Sequence, residues 1–233
     1  MIAVTRPNDV PFFERGANGR TIFLGWGADV LRLGSWRADR DIDVLRVGRQ
    51  PRLWADDEVS AARCRDAGLS FHGRPPDDIP LEEMHVRLMP YYARTKFVLA
   101  QTNRIDDSPY THPKEEYVTG RWMDALAGGA TVAGVQPTSD RTMEELFWPG
   151  AVLDFPKEDV QDQMERLRHT VSSWSPDIAV KNHRMALERL DWRWRLKELT
   201  ERLSLRAPKL DADLDEIRSR IAEHPRENRD LAV

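Results

Sequence analysis

Between residues 41 and 156 the chain keeps returning to one pattern, and that pattern limits the fold more than any other feature. Short apolar runs without polar alternation are followed by stretches at helical spacing. The runs are "DIDVLRVG" (41–48), "SFHG" (70–73), "KFVLAQT" (96–102), "TVAGV" (131–135) and "AVLDF" (151–155), with "TIFLGW" (21–26) upstream. A strand with one wet face alternates apolar and polar residues, whereas a strand covered on both faces does not. Helical stretches lie between the runs. Residues 56–69 open with two acids and end on Gly68, as the helix dipole and the C-terminal glycine rule favour. From Leu81 to about Arg94, Met84, Leu88 and Tyr92 recur at helical spacing; further helices fit about 117–127 and 140–147. Helices dominate from Lys157 to about Leu205. Strands alternating with helices imply an α/β fold: a doubly wound, Rossmann-like parallel sheet of five or six strands with helices on both faces, followed by C-terminal helices.

Composition narrows the class. A length of 233 residues suits one large domain or one and a half small ones. No apolar run reaches the roughly 18 residues of a membrane span, and the start, "MIAVTRPNDVPFFERG", lacks a signal-peptide pattern. Cytoplasm is therefore the expected compartment. Cys64 is the only cysteine, so no internal disulfide forms, and it reads as a buried bystander. The net charge of −4, with acids and bases interleaved, gives no basic face, so no nucleic-acid partner is expected.

Ligands of such sheets bind beyond the carboxyl ends of the strands. Arg49 and Arg52 follow the run at 41–48; His72, Gly73 and Arg74 follow "SF" (70–71); Gln101, Thr102 and Asn103 follow "KFVLA" (96–100). One edge of the sheet thus collects arginines, amides and a histidine, which suits an anionic ligand bearing hydroxyls or a base.

The stretch "EEYVTGRWMDALAGGATVAGV" (115–135) adds a helix to that edge. Pro113 disfavours helix just before it, so the helix begins near Val118 to Gly120. The backbone N–H groups of Thr119, Gly120 and Arg121 are then free to hold phosphate oxygens. Asp124, about one turn in, could accept hydrogen bonds from two vicinal hydroxyls of a ribose. Gly128-Gly129 ends the helix and turns the chain into the next strand. Singly, each feature is common. A helix with one acid and a glycine stop occurs throughout α/β proteins, an arginine after a strand is usually solvated, and a lone histidine is usually structural. Their convergence on one edge is what favours a binding site.

The order of these features resembles the carboxy-terminal domain of GT-B glycosyltransferases of the group-one type, nearest their spore-maturation-protein-like branch. Val47-Gly48-Arg49 matches a strand ending "vGR". "RWMDALAGG" (121–129) matches "R-x-x-E-A-x-A-x-G", with Asp124 in place of the usual glutamate. Glu116 and Asp124 have the spacing of the family's paired acids, seven residues lying between them. Residues 142–160 fit the helix, strand and turn that follow, and "LDWRWRLKEL" (190–199) echoes a late "h-x-W-x-x-R" pattern. The opening residues 2–29 resemble the end of the amino-terminal domain and its linker, with Gly27-Ala28-Asp29 as the linker turn.

The resemblance implies one half of a GT-B fold. Residues 1–40 would be a remnant of the first domain and linker, 41–205 a nucleotide-sugar-binding domain, and 206–233 a polar helical or disordered tail. It implies a glycosyltransferase with a nucleotide-diphosphate-sugar donor, no cofactor and no metal. Arg49, helped by Arg52, would pair with the diphosphate; Thr119, Gly120 and Arg121 would bind phosphate oxygens; Asp124 would hold the ribose; Glu116 would touch the sugar as the catalytic carboxylate; His72 to Arg74 would flank the base. Family members usually carry a lysine shortly after the arginine, and none stands here. The acceptor is unknown, and little of an acceptor domain fits before residue 40. A homodimer or a partner chain could supply that half. Two rival readings are a non-catalytic nucleotide-binding module or half-enzyme, and an α/β interaction domain that uses its tryptophans. The stripe Trp192, Leu196, Leu199, Leu203 reads as core before it reads as a partner surface.

Overall fold

The computed structural model describes residues 1–16, 19–75, 80–105, 114–137, 142–155 and 159–224. Pro113 and the final residues 225–233 lie outside the described residues. The chain opens with β1 (Ile2–Val4), α1 (Val10–Glu14) and β2 (Thr21–Phe23), a unit whose two strands pair in parallel. Next come α2 (Val30–Leu33), β3 (Ile42–Arg46), α3 (Asp57–Asp66), β4 (Phe71–His72), α4 (Leu81–Ala93) and β5 (Thr95–Leu99). They are followed by α5 (Gly120–Ala127), β6 (Thr131–Gly134), α6 (Thr142–Leu146) and β7 (Val152–Asp154). Four helices close the described chain: α7 (Val160–Ser172), α8 (Pro176–Arg189), α9 (Trp192–Arg202) and α10 (Pro208–Glu223).

The main sheet has five parallel strands in the order β4-β3-β5-β6-β7. Every strand in it was an apolar run in the sequence. Its central strands β3, β5 and β6 are covered on both faces, which is why their runs do not alternate. Val44, Phe97, Leu99 and Ala133 point into a core with Trp54, Cys64, Met164 and Leu167, under α3 and α7. Leu45, Val98 and Val132 point the other way, into a larger core with Trp122, Leu126, Leu187 and Leu214. Burial pushes the Cys64 thiol up to about 12, in keeping with an inert thiol.

Two of the buried indoles offset the cost of burial through well-placed hydrogen bonds from their N–H groups. Trp54 Nε1 donates to Gln163 Oε1 at 2.7 Å, and Trp148 Nε1 to Asn182 Oδ1 at 3.0 Å. Arg40 is buried with no carboxylate beside it in the described contacts. Its guanidinium donates instead to the carbonyls of Arg37, Tyr92, Thr95 and Gly128, at 2.5–3.1 Å. It thereby satisfies carbonyl groups at the ends of both α4 and α5, where positive charge is favoured. Gly129, at φ +77°, makes the turn that leaves room: a Cβ there would stand 2.5 Å from Arg40 Nη2.

One reading of the C-terminal region needs correction. The stripe on α9 is not core: Leu196 and Leu203 are exposed, and the buried residues of the helix are Arg193 and Arg195. Arg193 turns inward because Asp191, Asp29 and Asp213 receive it at 2.8–3.0 Å, and Asp191 is fully buried. The tail residues 208–223 form a helix that docks on the larger core. Leu214 and Ile217 of α10 lie in the larger core, and Arg220 Nη1 donates to Leu31 O at 2.7 Å. The linker turn is anchored to the same region, since Ala28 bridges Asp191 and Trp26 packs edge-on against Trp192.

Candidate functional site

In this strand order β3 has β4 on one side and β5 on the other, so the winding reverses between β3 and β5. The crevice beyond their carboxyl ends is the topological switch point, where open α/β sheets bind ligands. The residues that reach it come from the ends of both strands and the start of α5.

Gly48 follows β3 with φ +65°, a conformation glycine adopts without strain. The space where its side chain would stand belongs to Arg121: a Cβ would lie 2.4 Å from Arg121 Nη2. Arg121, the second residue of α5, donates from Nη1 to Arg49 O at 3.2 Å, and burial lowers its pKa. Arg49 reaches across the switch point and donates from Nη2 to Asn103 O at 2.9 Å. Asn103 in turn clasps the loop before α5. Its Nδ2 donates to Glu115 O at 3.1 Å, and its Oδ1 accepts from Tyr117 N at 2.7 Å. Half-buried Glu116 lies between those two anchored residues.

The helix start falls at the edge as the sequence suggests. Thr119 is the N-cap of α5, yet its hydroxyl makes no capping bond. Thr119 Oγ1 is buried and has no hydrogen-bond partner among the described residues. Gly120 has open space where a Cβ would be. The first N–H groups of a helix have no partner within it, so this end combines bare donors, a buried hydroxyl and room for a ligand. Gln50, not singled out by the sequence, also contributes. Its Nε2 donates to Val47 O and Leu99 O, tying the ends of β3 and β5 together, while its buried Oε1 has no partner among the described residues.

Asp124 lies one turn inside α5, with its side chain only 17% exposed. Burial pushes its carboxyl up to about 6, against the opposing pull of His85 and Arg121. His85 Nδ1, on α4, lies 3.7 Å from Asp124 Oδ2. Sequence reading had no signal for this neighbour, because only the packing of α4 against α5 brings the two together. Arg6, just past β1, is a second unanticipated member. It lies 4.0 Å from Glu115 and over the Tyr117 ring at 5.6 Å, so the first unit reaches the loop before α5.

The other candidates make contacts of their own. Arg52 is exposed on a 3-10 turn. His72 pairs with Leu45 in the sheet and packs edge-on against Tyr91, its Nδ1 2.8 Å from Gly73 O. Arg74 is exposed, and its backbone N–H donates to Asp57 Oδ2 at 3.0 Å. Asp57 also pairs with Arg46 at 2.9 Å. Among the described residues no group of three or more His, Cys, Asp or Glu could hold a metal, and no helix is long and apolar enough to cross a membrane.

No protein-family model matches the chain, and no curated protein does. Solved structures do. Sucrose-phosphate synthase from Thermosynechococcus elongatus superposes with a TM-score of 0.50 at 13% identity, over 86% of this chain and 57% of that one. HepE of Anabaena in complex with UDP superposes with a TM-score of 0.53 at 13% identity, over 88% and 63%. Its complex with UDP-glucose gives 0.50 at 14%, over the same shares. The fold is thus one half of a GT-B glycosyltransferase fold, and the chain spans about three-fifths of the length of these neighbours.

Proposed function

We propose that the chain is a glycosyltransferase that binds a nucleotide-diphosphate sugar in the crevice between β3 and β5. The observation that carries this reading is the meeting of Arg49 with the open start of α5 across the switch point. A guanidinium and bare helix N–H groups are the donors a diphosphate needs. They are also the donors that stabilise the charge built on a nucleoside diphosphate as it leaves, a role in which they would stand in for a metal. Arg52 is the second cation on that side, Asp124 holds the ribose diol, and His72 to Arg74 lie toward the base. Glu116 faces the sugar, where a carboxylate supports an oxocarbenium-like centre. UDP and UDP-glucose in the HepE structures make uridine nucleotides the first donors to try. The spore-maturation-like branch remains the proposed affiliation, and the cytoplasm the proposed compartment.

The acceptor half is proposed to come from a second copy or a different partner chain. A donor-binding half without transfer activity is the second reading.

Thermal shift with UDP and UDP-glucose tests donor binding. A ligand that binds only the native state raises stability with the logarithm of its concentration. Arg49→Ala should weaken binding by about 1.5–3 kcal/mol, the worth of hydrogen bonds to a charged group. Failure of every nucleoside diphosphate to shift the folded protein would sink the proposal. Release of UDP from UDP-glucose into water separates an enzyme from a binding module.

A further inference from the structure

We propose that His85 is a positioning residue for the donor: it keeps the Asp124 carboxylate ionised and oriented toward the ribose, so that donor affinity depends on pH. This rests on the donor reading above.

The groups facing Asp124 come from two helices. From α4 come His85, at 3.7 Å, and Tyr92; from α5 comes Arg121, itself faced by Arg46 and Arg49 from β3 and the residues after it. Their abilities to respond differ. Tyr92 is buried, and burial raises its pKa further, so it stays neutral. Arg121 keeps its charge at all ordinary pH and is already engaged with Arg49 O beside Gly48. A cationic imidazole beside a carboxylate favours the ionised carboxylate. His85 is also the more open partner, 44% exposed against 17% for Asp124.

The ionised state matters for recognition. A carboxylate accepts at both oxygens and can take two hydroxyls of a diol. A protonated carboxyl turns one of those oxygens into a donor. Burial already holds Asp124 near the point where that change occurs, with His85 and Arg121 as the groups opposing it. The sign follows. Above about 6 the carboxylate is ionised and the donor is held; below it the diol contact is lost. Without His85 the transition moves upward into the neutral range.

The test uses the full chain and UDP-glucose, whose diphosphate is a diester and so lacks the second phosphate ionisation near 6 that free UDP would add. Affinity is measured by calorimetry from about pH 5.5 to 8.5 for wild type, His85→Gln and Asp124→Asn. A companion carbon-NMR titration follows the Asp124 carboxyl without ligand. Wild-type affinity should rise about fourfold over the lower two pH units, matching the ionised fraction of a group titrating near 6. His85→Gln should bind several-fold more weakly near pH 7 and return to within about twofold of wild type at the alkaline end. Asp124→Asn should be weak and flat. The ligand-free Asp124 midpoint should be higher in His85→Gln than in wild type. A merely structural His85 would weaken binding equally at every pH and leave that midpoint in place, which overturns the proposal. If UDP-glucose binds but the midpoint does not move, only the role of His85 fails. If wild type binds no UDP-glucose at any pH, the donor reading fails, and this inference with it.

Discussion

Val47-Gly48-Arg49 shows what a three-residue motif can and cannot disclose. The sequence marks Gly48-Arg49 as a strand end, and the structure adds why glycine stands there: φ is +65°, and the missing Cβ leaves space for Arg121. Gly48→Ala should therefore cost twice. The backbone strain should lower stability by about 1 kcal/mol, and the methyl group should displace the Arg121 guanidinium and weaken nucleotide binding. The two costs separate in a double-mutant cycle with Arg121→Ala, which removes the clash and leaves only the strain. Denaturation midpoints and UDP calorimetry read the outcome, and full additivity of the two substitutions would refute the account. At this scale Arg49, Glu116, Thr119, Gly120 and Asp124 were legible as positions because strand ends and helix starts are local features. Their roles are proposals that these measurements examine. His85 and Arg6 were not legible, because each reaches the site through tertiary packing; Gln50 stands beside Arg49 at the marked strand end, but nothing in the sequence shows that its amide ties β3 to β5.

Helices and strands were legible where burial alone decides the pattern. Every strand of the main sheet lay in an apolar run, since a doubly covered strand needs one. α9 defeats that logic. Its apolar stripe is half exposed, and two arginines face inward: three carboxylates await Arg193, and the Arg189 carbonyl receives Arg195. Periodicity ranks residues by hydropathy, so it cannot foresee a buried ion network. Arg40 makes the same point from a loop. It is a buried cation whose partners are carbonyl groups at the ends of α4 and α5, rather than a charged side chain. Arg40→Met keeps the apolar stem and orphans those carbonyls. It should lower stability by about 2–4 kcal/mol, as expected when several hydrogen bonds to one charged group are lost. Arg40→Lys should recover little, because one ammonium cannot span the same fork. Urea denaturation of the three proteins checks this, and a near-wild-type midpoint for Arg40→Met would contradict it.

At the scale of the whole molecule, two buried groups pull acid stability in opposite directions. Asp124 titrates near 6 in the fold against an ordinary 3.8, so the native state binds that proton more tightly and gains stability as pH falls through this window. His183 does the reverse. It lies 1% exposed on α8, its Nδ1 2.9 Å from His224 Nε2 just past α10, with the Trp36 ring 4.8 Å from both imidazoles. Burial chiefly, then His224, Arg220 and Arg40, push it down to about 3 from an ordinary 6.5. The unfolded chain takes up a proton below about 6.5 that the native state refuses until about 3, so stability is lost as pH falls across that interval. Each unit of pH within it costs up to about 1.4 kcal/mol. The His183 window is wider, and its group is more deeply buried, so loss should win over the gain from Asp124. The C-terminal helix α10 is held partly through this histidine pair, so its docking is exposed to acid. Melting temperatures measured from about pH 7 down to 4 should fall steeply for wild type and much less for His183→Gln, which removes the titrating ring. Asp124→Asn should fall more steeply than wild type, because the opposing gain is gone. Parallel slopes for wild type and His183→Gln would mean that another group governs acid stability and that the histidine pair does not control how α10 is held.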